Sequence, residues 1–212
     1  MLKTKIIEIG REIIRTGLVA GTWGNISAWD ESQAGFWITP SGMDYLSLKE
    51  EDLVLMNLQG DVLEGQRTPS SEEQLHRAIY SQRKEVKGIV HTHSIFATAH
   101  AVAQVPLPGL VEDFAMIVGG EVSVADYHRA GTEELTEAAV RALADKNGVF
   151  LANHGLVGVG RSVEEALKVC QIVEKNAQIH IMSRMLGNPV LLSDEDQRQL
   201  RFEYLHNYGQ KG

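Results

Sequence analysis

Three histidines and one glutamate are spaced so that they could bind a divalent metal ion. His91 and His93 lie two residues apart in a strand-like run, so both side chains leave the same face of the predicted strand. His154 directly follows an apolar strand pattern, and Glu72 lies in the first turn of a predicted helix. Three neutral imidazoles and a carboxylate form a suitable ligand set for zinc and similar transition metals.

Each of these residues also has an ordinary structural interpretation. A His-x-His pair in a strand is often incidental, and His154 in Asn-His-Gly suits a turn. Glu72 would favour a helix N-terminus through the helix dipole alone. From the residue types and spacing, the metal site and the structural roles both stay open.

Three short segments have the chemistry of an anion site. Ser70 and Ser71 begin a predicted helix, where hydroxyls, free backbone N–H groups and the positive end of the helix dipole can bind a phosphate. Ordinary helix capping is the alternative, because Ser70 with Glu73 fits a capping box. Two glycine-containing loop pairs could bring backbone amides to the same ligand: Gly24 with Asn25, and Ser41 with Gly42.

Helical and strand-like patterns alternate along the chain and would position these side chains. The predicted helices cover residues 3–16, 70–83, 97–103, 132–146 and 162–186, with a last helix capped by Ser193. The predicted strands are residues 36–39, 53–58, 88–93 and 149–152. This alternation indicates an α/β fold, and the glycine turns indicate that some strands pair antiparallel. With no linker or repeat, we predict one domain over residues 1–212.

Composition excludes several classes of protein. The 212 residues include 28 acidic and 20 basic side chains, and the net charge of −8 argues against a nucleic-acid partner. No apolar run reaches the ~18 residues of a membrane span, and the N-terminus does not resemble a signal peptide, so a cytoplasmic protein is expected. The single cysteine, Cys170, excludes an intramolecular disulfide and suits a buried helical thiol.

Five motifs occur in an order that is specific at family level, and they span essentially the whole chain. They are Gly21-Thr-Trp-Gly-Asn-Ile-Ser27, Ile38-Thr-Pro-Ser-Gly42, Pro69-Ser-Ser-Glu72, Val90-His-Thr-His-Ser94 and Ala152-Asn-His-Gly155. Together they strongly resemble the class II aldolase/adducin family. The resemblance implies a three-layer α/β/α sandwich and a homotetramer with sites at subunit interfaces. It also implies a zinc ion, with manganese, cobalt or iron as alternatives.

The resemblance assigns roles to particular positions. The implied metal ligands are Glu72, His91, His93 and His154, and Glu72 is also the implied acid/base when substrate displaces it. Tyr208 matches a family tyrosine that reaches a neighbouring subunit's site. The residues implied to bind the substrate phosphate are Gly24, Asn25, Ser41, Gly42, Ser70 and Ser71.

One position departs from the family pattern. Aldolases of this type carry a catalytic tyrosine ahead of a Gly-Gly pair, where this sequence has Asp113 with Glu112 beside it. A carboxylate has an ordinary pKa of about 4 against about 10 for tyrosine, so the second proton-transfer group is open. If Asp113 acts there, we expect it to be buried among apolar neighbours. The alternative is a solvated acidic pair at the start of a strand.

The implied reaction is cleavage of a ketose 1-phosphate, similar to L-fuculose 1-phosphate, to dihydroxyacetone phosphate and a short aldehyde through a metal-stabilised enediolate. Related alternatives are an epimerase, such as one acting on L-ribulose 5-phosphate, or a dehydratase or decarboxylase. A non-catalytic scaffold is disfavoured because the His-His-His-Glu set is complete. Other histidines are interpreted as packed or surface residues: His76, His100, His128, His180 and His206.

Overall fold

The structure contains each predicted helix and strand, and among the residues it describes it adds four strands and one short α-helix that the sequence patterns did not predict. The computed structural model describes residues 1–208, so the last four residues of the predicted domain lie outside it. The α-helices of these residues are α1 (Leu2–Arg15), α2 (Glu73–Gln82), α3 (Ile95–Ala103), α4 (Glu112–Val118), α5 (Glu133–Leu143), α6 (Val163–Leu186) and α7 (Asp194–Asn207). The strands are β1 (Asn25–Asp30), β2 (Gly35–Ile38), β3 (Val54–Met56), β4 (Val62–Glu64), β5 (Gly88–Thr92), β6 (Val124–Ala125), β7 (Gly148–Leu151) and β8 (Gly155–Gly160).

Three of the predicted helix caps are confirmed and one is wrong. The hydroxyls of Thr132, Ser162 and Ser193 each accept a backbone N–H in the first turn of α5, α6 and α7. The capping box of Ser70 with Glu73 does not form, because α2 begins only at Glu73. The Ser70 N–H instead donates to the Thr39 carbonyl at 3.1 Å, which ties this segment to the sheet and delays the helix.

All eight strands form one sheet in the order β4-β3-β2-β1-β5-β8-β7-β6. Every neighbouring pair is antiparallel except β6 with β7. The predicted antiparallel pairing is therefore confirmed. At the centre, Asn25 of β1 pairs with His91 of β5, which brings two predicted site residues to adjacent strands.

Helices cover both faces of the sheet, so the predicted three-layer α/β/α sandwich is confirmed. Helices α1, α3 and α6 pack on one face, with α4 and α7 outside α6. Helices α2 and α5 pack on the other face, over a core that includes Ile89 and Val157. Within residues 1–208, no helix is both long and apolar enough to span a membrane.

The segment around Asp113 is helical, which corrects the alternative that placed it at the start of a strand. Glu112 and Asp113 occupy the first turn of α4. Phe114 and Ile117 point into the core, whereas Glu112 is exposed. The helical period places Asp113 between the buried and the solvated sides of α4.

Candidate active site

The three predicted metal-binding histidines converge on one point. The Nε2 atom of His91 lies 2.9 Å from Nε2 of His93 and 3.3 Å from Nε2 of His154. The ligand nitrogens of all three residues lie within 4.8 Å of one another. Nitrogen ligands at about 2.1 Å from one tetrahedral zinc ion lie about 3.4 Å apart, so the spacing matches a shared ion.

Strand pairing and one close approach create this convergence. His91 is in β5, His93 follows its end, and His154 occupies the turn between β7 and β8. The next residue, Gly155, begins β8, and a Cβ atom there would lie 2.3 Å from the Thr92 carbonyl oxygen, 3.0 Å from the His93 ring and 3.3 Å from the His91 ring. Glycine is therefore required chiefly because the backbone of the neighbouring strand passes so close, and its missing side chain also leaves room for the two imidazoles.

Hydrogen bonding and burial prepare the imidazoles as neutral ligands. Nδ1 of His91 lies 3.0 Å from the Leu156 carbonyl, so it carries the proton and leaves the Nε2 lone pair for a metal. Burial lowers the pKa of His91 and of His93 to about 3, with the neighbouring imidazoles adding to the effect. Both rings are uncharged at neutral pH, as metal ligation requires.

Glu72 completes the set and provides a test of whether a cation fits. Its carboxylate is buried at the N-cap of α2, with Oε2 3.4 Å from His91 Nε2 and Oε1 3.7 Å from His154 Nε2. Oε2 accepts a hydrogen bond from Asn25, but Oε1 has no hydrogen-bond partner among the described residues. A buried carboxylate oxygen without a donor is costly unless it faces a cation, so the residues fit a divalent metal.

A cavity of about 240 Å³ opens beside this cluster. Its lining includes Glu72, His93 and His154, and also every residue predicted to bind phosphate: Gly24, Asn25, Ser41, Gly42, Ser70 and Ser71. The structure therefore brings the predicted metal ligands and the predicted phosphate residues to one place. Trp23 lies at its rim, two-thirds exposed, with its ring stacked 6.0 Å from His93.

Known proteins share these sequence features with the chain. The family model described as "Class II Aldolase and Adducin N-terminal domain" matches residues 4–181. The chain belongs to the class II aldolase and adducin family. The predicted family resemblance is thereby confirmed.

Individual relatives cover nearly the whole chain. A 5-deoxy-D-ribulose 1-phosphate aldolase of Bacillus thuringiensis serovar kurstaki is 36% identical over 99% of this chain and 97% of its own length. A 5-methylthioribulose-1-phosphate/5-deoxyribulose-1-phosphate aldolase of Rhodospirillum rubrum is 33% identical over 98% of this chain and 92% of its own length. The solved structure of an L-fuculose 1-phosphate aldolase superposes with a TM-score of 0.93, at 35% identity and 96% coverage of both chains. The chain is accordingly a class II aldehyde-lyase.

Two predicted catalytic residues do not lie in this cavity. Asp113 forms an ion pair with Lys175 and lies 3.4 Å from the amide of Asn176, and its side chain is 39% exposed. The expected apolar burial of Asp113 is wrong, because the polar side of α6 packs against this part of α4. Tyr208 is 72% exposed, and its ring lies tilted against Tyr204 in α7, with 5.3 Å between the ring centroids.

The residues that support the metal ligands include two whose roles the sequence did not reveal. The Glu174 carboxylate of α6 accepts the backbone N–H groups of Phe96 and Ala97, at 3.0 and 2.8 Å, and so anchors the start of α3 just after His93. His76, predicted to be a packed or surface histidine, is fully buried and hydrogen-bonded to Asn25. Pattern analysis misses both because their partners are distant along the chain.

The buried histidines predict a pH dependence of stability. In the metal-free protein, the free energy of unfolding should fall as the pH falls from about 6.5 towards 3, because the unfolded chain binds protons that folded His91 does not. One such histidine contributes about 1.4 kcal/mol per pH unit in this window. Denaturant unfolding at several pH values measures the slope. His91→Asn should reduce the slope by about this amount, because His76 and His93 still titrate in the same window. The exposed His206→Asn is the control, and an unchanged slope in His91→Asn would contradict the prediction.

Proposed function

We propose that this class II aldolase cleaves a ketose 1-phosphate between C3 and C4, giving dihydroxyacetone phosphate and a short aldehyde. The observation that carries the proposal is that the candidate metal ligands and the candidate phosphate-binding residues lie at the same cavity. The unpartnered Oε1 of Glu72 faces the three-histidine cluster, and serine- and glycine-containing loops surround it. The relatives support the same substrate class, since their names specify ketose 1-phosphates.

His91, His93, His154 and Glu72 would hold the metal ion, which we propose to be zinc. Imidazole nitrogen with one carboxylate suits zinc, and manganese, cobalt and iron are the alternatives. When bound, a divalent cation supplies Lewis-acid stabilisation of the negative charge that develops on the substrate oxygens. The protein contributes the orientation of the ligands through the bond from His91 to the Leu156 carbonyl.

The phosphate would bind at the loops on the other side of the cavity. Ser41 and Ser71 are exposed there, and their hydroxyls can donate to phosphate oxygens. The backbone N–H groups of Ser41 and Ser70 already donate to Thr68 and Thr39, so these two serines contribute through their side chains. Gly24 has a φ of +79°, and a Cβ atom there would lie 2.6 Å from the His91 carbonyl oxygen. Only glycine permits this loop to pass so close to the metal ligands.

Glu72 is the proposed proton-transfer group at carbon. It lies at the metal cluster and in the same cavity as the phosphate residues, so it can reach the carbon that loses the aldehyde. In cleavage it takes up a proton from solvent and delivers it to C3, and in the reverse direction it removes that proton and returns it to solvent. A different group must accept the proton from the C4 hydroxyl, and Asp113, Glu112 and Tyr208 are the candidates.

A homotetramer would explain how those candidates reach the substrate. Helices α3 and α6 expose large apolar side chains that a neighbouring subunit could bury: Ile95, Val102, Ile179, Met182, Met185 and Leu186. We propose that Asp113 or Tyr208 acts at the site of a neighbouring subunit, because neither lines the cavity of its own chain. Sedimentation velocity measures the assembly, and a monomer with full activity would contradict this arrangement.

The activity test compares substrates that separate the family's reactions. Purified protein should release dihydroxyacetone phosphate from 5-deoxyribulose 1-phosphate or L-fuculose 1-phosphate, detected by coupled reduction. Chelation should abolish the release, and added zinc should restore it. L-Ribulose 5-phosphate tests the epimerase alternative. A product lighter than its substrate by one water, detected by mass spectrometry, tests dehydratase chemistry, and CO₂ release tests decarboxylase chemistry. Epimerisation without cleavage of any ketose 1-phosphate would overturn the proposal.

Ser71→Ala should weaken substrate binding more than it slows turnover. A hydrogen bond to a charged group contributes about 1.5–3 kcal/mol, so we expect KM to rise by about 10- to 100-fold with kcat within about threefold. Steady-state kinetics on the cleaved ketose 1-phosphate measure both constants. Ser81→Ala, an exposed serine at the end of α2, is the matched control. A fall in kcat at unchanged KM would place Ser71 outside the phosphate pocket.

Asp113→Asn should separate two half-reactions if Asp113 handles the aldehyde end. Cleavage of the intact substrate should fall at least tenfold, because the proton from the C4 hydroxyl has no acceptor. Exchange of the C3 proton of dihydroxyacetone phosphate should be retained, because Glu72 performs that step. A coupled aldehyde assay and deuterium incorporation follow the two reactions. Cleavage at the wild-type rate would make the ion pair with Lys175 the only role of Asp113, and Tyr208→Phe would then be tested.

A further inference from the structure

Four buried polar side chains lead away from Glu72 between β1 and α2. Asn25 and Ser27 lie two residues apart on the face of β1 that α2 covers, and His76 and Tyr80 lie one turn apart on α2. Two residues along a strand and one turn along a helix advance by similar distances. Asn25 and Ser27 of β1 therefore lie opposite His76 and Tyr80 of α2. None of the four is more than 3% exposed.

The side chains form one continuous chain of hydrogen bonds. Asn25 Nδ2 lies 2.8 Å from Glu72 Oε2, and Asn25 Oδ1 lies 2.5 Å from His76 Nε2. His76 Nδ1 lies 2.6 Å from Ser27 Oγ, which lies 2.8 Å from the Tyr80 hydroxyl.

The hydrogen bonds all run in one donor-to-acceptor direction, because Glu72 at one end can only accept. An ionised carboxylate only accepts hydrogen bonds, so Asn25 must present its NH₂ group to Glu72 and its carbonyl to His76. His76 must then donate from Nε2 and accept at Nδ1 from Ser27. Tyr80 in turn donates to Ser27. With the opposite histidine tautomer, the Nε2 lone pair would face the Asn25 carbonyl, and the amide would be driven to turn its oxygen towards Glu72.

We propose that His76 is a positioning residue that holds the Asn25 amide as a donor to Glu72 and thereby keeps Oε1 of Glu72 aimed at the three-histidine cluster. This role rests on the proposed function, because it concerns the orientation of Glu72 in the metal centre. His76 does not contact the substrate cavity itself. Ser27 and Tyr80 support it by setting the histidine tautomer.

Two observations separate this role from proton relay and from simple packing. Tyr80 is 2% exposed, so the chain ends inside the protein and offers no exit for a proton. Burial lowers the pKa of His76 to about 3, which keeps the ring neutral with one donor and one acceptor. A ring that only filled space would not need polar partners at both nitrogens.

The histidine tautomer is the first test and needs no metal or substrate. In metal-free protein labelled with ¹⁵N-histidine, the ring nitrogen shifts should identify His76 as the Nε2–H tautomer, neutral from pH 8 to 6. The signal is assigned by its disappearance in a His76 variant or its movement in Ser27→Ala. An Nδ1–H tautomer, or a ring that titrates in this range, would overturn the proposal.

Zinc affinity in a double-mutant cycle is the second test. His76→Phe keeps a planar ring but removes both hydrogen bonds, and chelator competition should show zinc binding about 10- to 100-fold weaker. In a Glu72→Ala background the same substitution should change zinc affinity less than threefold, since its effect passes through Glu72. His100→Phe replaces another buried histidine and is the control. Equal losses in both backgrounds would mean that His76 is merely structural, and no loss in either would also overturn the proposal.

A milder variant covers the case in which His76→Phe does not fold. Ser27→Ala removes only the donor to Nδ1 and should weaken zinc binding severalfold while mixing the two tautomers of His76. Wild-type zinc affinity with an unchanged tautomer would overturn the proposal. If the wild-type protein binds no zinc at all, the proposed metal centre fails, whereas the tautomer test still decides the direction of the chain.

Discussion

Glu72→Gln should turn over its ketose 1-phosphate about 10² to 10⁴ times more slowly than the wild type, the range that one general acid–base group contributes. The amide keeps the shape of the side chain and an oxygen that can accept from Asn25, but it cannot exchange a proton. KM should therefore change less than about threefold, because the phosphate residues are untouched. The ratio of kcat values from steady-state assays with saturating zinc measures the effect.

The neighbouring residue supplies a matched control for this substitution. Glu73 lies one position further along, at the start of α2, and pairs with Arg77 at 3.3 Å rather than with the histidines. Glu73→Gln should retain wild-type kcat. If Glu72→Gln and Ser71→Ala change kcat and KM in the same proportions, the division between proton transfer and phosphate binding is wrong. Retention of kcat in Glu72→Gln would remove Glu72 from the chemistry altogether.

His93→Ala should abolish stable metal binding and, with it, activity. The wild-type protein, purified without added metal, should contain about one divalent ion per chain, zinc first. Removal of one imidazole leaves two histidines and a carboxylate, and we expect zinc affinity to fall by more than about 100-fold, beyond the effect of losing an outer-shell partner. Elemental analysis and chelator competition measure content and affinity.

The control distinguishes this site from adventitious binding. His128 is partly buried and lies outside the cluster, so His128→Ala should retain the metal. A metal content below one per chain that His93→Ala leaves unchanged would contradict the site. Unfolding midpoints of the metal-free variants should agree within a few degrees, because His93 is partly exposed and contributes little to the core.

Local patterns predicted most of the fold because they depend on residues near one another along the chain. The apolar spacing of Ile6, Ile9 and Ile13 identified α1, and all three are buried. Capping hydroxyls at Ser162 and Ser193 identified the starts of α6 and α7 within a residue. The strand period likewise predicted that the side chains of His91 and His93 leave the same face, and their Nε2 atoms lie 2.9 Å apart.

The sequence failed where long-range contacts override local preference. Ser70 and Glu73 have the local signature of a capping box, but a hydrogen bond to the carbonyl of Thr39, just after β2, takes the Ser70 N–H and delays α2. Apolar neighbours predicted burial of Asp113, but Lys175, 62 residues away, pairs with it. These two contacts depend on which surfaces meet in the folded protein. The spacing of apolar residues along one segment carries no information about them.

By itself, the sequence determined the family through the order of its motifs and the α/β class through side-chain periodicity. The family resemblance then predicted the layered architecture and the histidine and carboxylate set. The tertiary structure alone decided which polar groups support that set. Asn25, Glu72 and His76 come from two separate segments, and their bonds form because α2 packs over β1. A hydrogen bond needs its donor and acceptor within about 3 Å, and only the folded backbone brings these atoms together.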